Sequence, residues 1–239
     1  FDKLVASLLP LMEKLTTGRT ASLLSPELDD PTDWRPVFDW SSVINLGGIV
    51  YVGLDALSDY EVAAAVGNSM FADLTSVAGS LYKFGAGRGL PGEIVPRRIA
   101  IHADEFNELI GNEFIPLLNK AGGAGFQVTA YTQTWSDVEA RIGSPAKAGQ
   151  IAGNFNTLIM LRVKEVATAE LLTSQLPDVH VVSTVVSSSA SDTNDPVDFA
   201  DFASRNEDRI APETVRMLEP TDLVQLPKGE AFALIHGGQ

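Results

Sequence analysis

The chain has 239 residues, 45% of them apolar and 20% charged, which is globular composition and enough for one large domain or two small ones. Lys and Arg number 17 against 31 Asp and Glu, a net charge of −14, which repels phosphate backbones in general, so any nucleic-acid role must use a local basic feature or a neighbouring module. The absence of cysteine excludes disulfides, thiolate catalysis and Cys-based zinc sites, and no apolar stretch approaches the roughly 18–20 residues a membrane helix needs.

In chain order, residues 1–24 read as one helix, with Leu4, Leu8, Leu11 and Leu15 at helical spacing and Pro10 as the place for a kink. The sequence opens at Phe1 in what reads as mid-helix, so the chain is expected to be a piece of something longer. Residues 25–40 form a proline-rich, acidic connector expected to pin Trp34, Phe38 and Trp40 onto a core. "GGIVYVGLD", 47–55, reads as a buried strand. Ser58 and Glu61 have the spacing of a capping box, followed by a helix to about Tyr82. "GAGRGLPGE", 85–93, is a glycine-rich loop carrying Arg88, expected to be a linker.

From residue 98 the pattern becomes regular. A strand over 98–103 leads into a helix from Glu105 to about Lys120, with Phe106, Leu109, Ile110, Phe114, Leu117 and Leu118 as its buried stripe. Gly122 and Gly123 should stop it. A strand over 126–131 follows, then helical segments over about 135–141 and after Ser144. Next come a strand over 156–162, a helix over 165–175 and a strand over 179–187. Residues 188–198 read as an exposed, mobile loop, and "DLVQL" and "EAFALI" as the arms of an antiparallel hairpin with Gly229 at its turn. Strand and helix alternate, which predicts an α/β fold with a mainly parallel sheet flanked by helices.

The chemistry lies in "IAIHADEFNEL". Asp104 and Glu105 fall at the carboxyl end of a buried strand, where ligands bind in open α/β sheets. One carboxylate there can hold Mg²⁺ through water, and the next can polarise a water for phosphoryl transfer. A pair of acids also starts many helices, because it suits the helix dipole. Gln133 favours the first reading: it lies 29 residues after Asp104, at the end of the next predicted strand, so one crossover brings it to the same sheet edge. His102 reads as a core or interface residue. A Walker A loop is missing, since no Gly-Lys pair occurs anywhere in the chain. "SSSAS", 187–191, lacks the strand–turn–helix context of a serine nucleophile.

Residues 99–163 resemble the second half of the motor domain of TraD/TraG-type conjugative coupling proteins, with wording similar to those of integrating conjugative elements. "DLVQLPKGEAFALIHGG", 222–238, matches that family's closing hairpin, and 8–26 look like the exit from its inserted all-α domain. The resemblance implies residues 1–26 as the end of that domain and 27–239 as a RecA-like P-loop ATPase domain without its Walker A part. It implies Asp104 as the metal acid, Glu105 as catalytic base and Gln133 as γ-phosphate sensor, with ATP and Mg²⁺ bound in the intact protein. It implies a homo-hexamer on the cytoplasmic face of the bacterial inner membrane, anchored by an N-terminal segment absent from this chain. The ring would deliver relaxase-bound single-stranded DNA to type IV secretion channel proteins.

One departure concerns Gly123, which stands where family members often carry an arginine finger; Arg141 and Arg162 are the candidates to replace it in trans. The fragment alone is expected to be inactive towards ATP and monomeric or weakly associating. The alternatives are a RecA-like ATPase of another translocase class and a non-catalytic docking module for relaxosome or channel proteins.

Overall fold

The computed structural model describes residues 2–25, 27, 29–85, 98–111, 114–191 and 203–235. They divide into two compact units, Phe1–Asn156 and Thr157–Gln239.

In the first unit, α1 (Asp2–Thr16) and α2 (Gly18–Leu24) replace the single helix read over 1–24. The break is not at Pro10, which lies inside α1, but at Thr17–Gly18, where the φ of +60° at Gly18 interrupts the helical run and α2 starts anew. In the connector, Arg35 bonds the carbonyl of Ser22 and the carboxylate of Asp33, and this holds the Asp33 carboxyl well below the usual carboxylate range. Trp40 opens α3 (Trp40–Leu46), packs against the core and donates its indole N–H to the Met70 carbonyl at 3.2 Å, with Phe38 edge-on at 4.8 Å. Trp34 and Phe38 differ from expectation, standing 87% and 47% exposed.

The strand read over 47–55 does not form. Its β-branched residues suit a pleat, but a strand needs a ladder, and no described strand pairs with this one. Ile49 is fully exposed instead. The long helix α4 (Tyr60–Phe84) starts one residue later than the capping-box reading: Asp59 caps it by accepting from Val62 N, and Ser58 bonds Asp55. Ala63, Gly67, Leu74 and Ala78 form its buried face.

Strand β1 (Ile99–Ala103) runs parallel to β2 (Phe126–Ala130), from Ile99 opposite Phe126 to Ala103 opposite Ala130. Between them the helix read from Glu105 to Lys120 is two short helices, α5 (Phe106–Leu109) and α6 (Phe114–Lys120). Pro116 explains the restart. Mid-helix it would clash with the preceding turn, but in the first turn of α6 it costs nothing. The chain turns extended at Ile110, and Gly111 then lets it pass close to α4, where a Cβ would meet Asn68 Oδ1 at 2.8 Å. A 3₁₀ turn over Ala121–Ala124 carries the chain through Gly122 and Gly123, and Gly125 ends it in the left-handed region. The helices α7 (Trp135–Ile142) and α8 (Pro145–Ala152) follow, capped by Thr134 and Ser144. Phe106, Ile110, Phe114, Leu117, Val138 and Ile151 make the core, with Phe106 and Phe114 edge to face at 4.9 Å.

In the second unit, β3 (Thr157–Leu161) pairs antiparallel with β6 (Ala231–Ile235). The helices α9 (Val166–Thr173) and α10 (Pro220–Val224) belong with them, and Met160, Ala169, Leu172 and Leu223 make their core. The closing hairpin is thereby corrected. Its second arm is a strand, but that strand pairs with β3, while Asp222–Val224 of the first arm are helical because Pro220 and a Glu219–Asp222 capping box start a helix there.

Strand β4 (Asp178–Ser191) and β5 (Ala203–Arg216) form a long antiparallel ribbon. Residues 188–191 of the expected loop thus belong to a strand, and 192–198 lie outside the described residues. So does the glycine-rich loop with Arg88, apart from Gly85. The architecture is α/β as read from the sequence, with β1–β2 the parallel pair and the other two described pairs antiparallel. No helix among the described residues is long and apolar enough to cross a membrane.

Candidate active site at the carboxyl edge of the parallel pair

Strands β1 and β2 end side by side. Beyond the last ladder pair, Tyr131 N donates to the Ala103 carbonyl at 2.9 Å and Phe106 N to the Tyr131 carbonyl at 2.8 Å. This brings Asp104 and Glu105 to the same edge as Gln133, and Gln133 Nε2 donates to Glu105 Oε1 at 3.0 Å. Asp104 Oδ1 accepts from Glu105 N at 3.1 Å, leaving its second oxygen for another ligand. All three side chains are exposed, so a ligand can reach them without a rearrangement of the core.

Glu105 is the non-glycine residue with positive φ among the described residues, at φ 45°, ψ 53°. A left-handed conformation costs an L-residue about 1–2 kcal/mol and is kept only where the surroundings enforce it. Here the enforcement comes from Phe106, which is 1% exposed and bonded through its N–H to β2. The turn lifts Glu105 out of the helix it was expected to start and directs its carboxylate towards Gln133. Glu105→Gly should therefore raise stability by up to about 1 kcal/mol in urea unfolding, since glycine adopts this conformation freely and the exposed bond to Gln133 contributes little. A lower stability in that variant would mean the left-handed turn is not held in solution.

The donor set suits a hard ion held by one or two carboxylates and by ligand oxygens, as Mg²⁺ is. It does not suit a metal needing an all-protein cage, because no group of three or more His, Asp or Glu gathers among the described residues.

The remaining singled-out residues stand apart from this edge or beside it. His102 is exposed, not in the core, with Nδ1 3.2 Å from the Tyr131 hydroxyl and the two rings stacked. Arg141, in the last turn of α7, lays its guanidinium over the Tyr60 ring at 5.0 Å. Arg162 follows β3 in the second unit and is exposed. Gly123 faces α4 closely: a Cβ there would stand 3.0 Å from Tyr82 Cε2, so any side chain at 123 must displace that ring.

Sequence reading missed two features of the site. One is the left-handed turn at Glu105, for which no residue pattern gives a signal. The other is a bond from Thr132 Oγ1 to Asn107 Oδ1 at 3.3 Å, foreshadowed only by the polarity of both residues.

A family model described as the TraM recognition site of TraD and TraG matches residues 98–228, more than half of the chain and all of this edge. The chain belongs to the TraD/TraG coupling-protein family. The fold agrees. The unbound bacterial conjugative coupling protein TrwB superposes with a TM-score of 0.54 at 17% identity, over 76% of this chain and 36% of that one. TrwB in complex with ADP and Mg²⁺ gives a TM-score of 0.55 at 19% identity, over 100% and 52%. TrwB with the ATP analogue ADPNP gives 0.53 at 18% identity, over 84% and 41%. The chain thus has the RecA-like α/β fold of these structures and spans about a third to a half of their length. No curated protein matches it.

Proposed function

We propose that this chain is the metal-and-water half of an ATP site in a conjugative coupling protein. The observation that carries the reading is the 3.0 Å contact between Gln133 and Glu105, at the carboxyl end of a parallel strand pair whose first strand ends in Asp-Glu. Family membership and the nucleotide complexes of TrwB support it.

In this reading Asp104 holds Mg²⁺ through water. Mg²⁺, when bound, neutralises charge on the phosphate oxygens. Glu105 takes a proton from the attacking water as its oxygen bonds the γ-phosphorus and the bond to the bridging oxygen breaks. The Gln133 amide contacts the terminal phosphate and is released with it. Residues 1–26 end an inserted all-α domain and 27–239 belong to the RecA-like domain, with the phosphate loop in a longer protein. That protein works as a hexameric ring at the cytoplasmic face of the inner membrane, and moves relaxase-bound single-stranded DNA to a type IV secretion channel. Arg141 or Arg162 supplies the trans cation. Tyr60 under Arg141 gives that guanidinium a fixed platform.

ATP turnover by the full-length protein, with and without Mg²⁺ and single-stranded DNA, tests this. Turnover that needs Mg²⁺ and rises severalfold with DNA is the expected result. Turnover indifferent to DNA would move the chain to another translocase class, and no turnover would remove the catalytic reading.

A second reading, a docking module for a relaxosome protein, draws on the family's description as a TraM recognition site. It makes the chain non-catalytic, and expects saturable binding of a TraM-type protein that survives Glu105→Gln. Loss of that binding in the variant, or none to begin with, would dismiss it.

A further inference from the structure

Three successive residues are joined to three successive residues at the site edge. Glu105 accepts from Gln133 at 3.0 Å, Phe106 donates from its backbone to Tyr131 at 2.8 Å, and Asn107 accepts from Thr132 at 3.3 Å. The first bond is the one a bound nucleotide would break, if Gln133 turns to a phosphate. The second fixes the backbone after Glu105 but not the direction of the following turn. The third is a side-chain bond between the first turn of α5 and the residue immediately before Gln133.

We infer that Asn107 and Thr132 are positioning residues for the acid pair, an inference that rests on the ATPase reading above. Their bond ties the residues flanking Glu105 to the residues flanking Gln133 without using either catalytic side chain. It therefore persists when Gln133 leaves Glu105. Phe106 holds the left-handed turn itself, and the Asn107–Thr132 bond keeps that turn aligned with the segment carrying Gln133 at the moment the carboxylate must face a water.

The local chemistry fits a dedicated role. Asn107 Nδ2 donates to Glu108 Oε1 at 3.3 Å, which turns its oxygen towards Thr132. The Thr132 hydroxyl has one proton, shared between Asn107 Oδ1 and the Thr134 carbonyl at 3.2 Å. Thr134 caps α7, so the same hydroxyl links the acid turn, the sensor and the start of the next helix. A four-residue α5 has little rigidity of its own, and the side-chain bond supplies what the helix lacks.

The test is steady-state ATP turnover by the full-length protein carrying Asn107→Ala, Thr132→Val, both together, or the conservative Thr132→Ser, with Glu105→Gln alongside and Tm recorded for each. A misplaced catalytic group costs rate more than binding, so kcat should fall roughly tenfold or more in each single variant, with KM for ATP within about twofold and Tm near wild type. The double variant should lose no more than either single one, because both remove one bond. Thr132→Ser keeps the hydroxyl and should retain the rate. Wild-type kcat in Asn107→Ala beside a dead Glu105→Gln overturns the inference and leaves the ATPase reading standing. So does a loss confined to KM, or one that tracks Tm. Wild-type turnover in Glu105→Gln would overturn both.

Discussion

Glu105→Gln in the full-length protein should bind MgATP about as tightly as wild type and hydrolyse it at least a hundredfold more slowly. The substitution is nearly isosteric. It keeps an oxygen to accept from Gln133 Nε2 and keeps the left-handed turn, since that turn is enforced by buried Phe106 and its bond to Tyr131. What it removes is the negative charge and the site for a water proton. Binding strength in nucleotide sites comes mainly from the phosphates, and Glu105 contacts none in this reading. A variant that loses binding and turnover together would point instead to a structural role. A variant with normal turnover would leave Asp104 and Glu105 as a helix start with favourable charge.

Phe106→Ala should be the most damaging core change near the site, costing about 3–5 kcal/mol of stability. Phe106 is 1% exposed and sits between two aromatic neighbours, edge to face with Phe114 at 4.9 Å and with Phe155 at 6.2 Å. The ring belongs to α5, which packs against α4 and α7, and Phe114 of α6 lies against it, so the cavity cannot collapse by moving one side chain. Domains are commonly stable by only about 5–15 kcal/mol, so much of the reserve would go. Urea unfolding read by circular dichroism measures this. Because Phe106 also enforces the turn at Glu105, turnover should fall even under conditions where the variant stays folded. A loss below about 1 kcal/mol would mean that the ring is not central to the first unit.

The residues 99–161 were largely legible in the sequence because each element there buries a face. Apolar runs mark β1, β2 and β3, and the stripe Phe106, Ile110, Phe114, Leu117 marks the inner side of the intervening helices. The juxtaposition of Glu105 and Gln133 followed from one parallel crossover.

What was not legible has physical causes as specific. Strand β5 reads "ASRNEDRIAPETVR", charged and carrying Pro212, and it is held by its ladder to β4 rather than announced by an apolar run. The stretch 47–55 has strand composition but no described partner, and composition alone cannot supply a ladder. The break between α5 and α6 was foreshadowed by Pro116, whose tolerance depends on its distance from a helix start that the apolar stripe did not show. The left-handed Glu105 depends on contacts with a strand 25 or so residues later in the chain, and no local pattern encodes it.

The most direct measurement is a structure of the full-length Glu105→Gln protein with MgATP bound. The terminal phosphate is expected within hydrogen-bond reach of Gln133, with the metal on the Asp104 side of it. Nucleotide bound at any other edge, with Asp104 and Gln133 left facing solvent, would contradict the assignment of this strand edge as the ATP site.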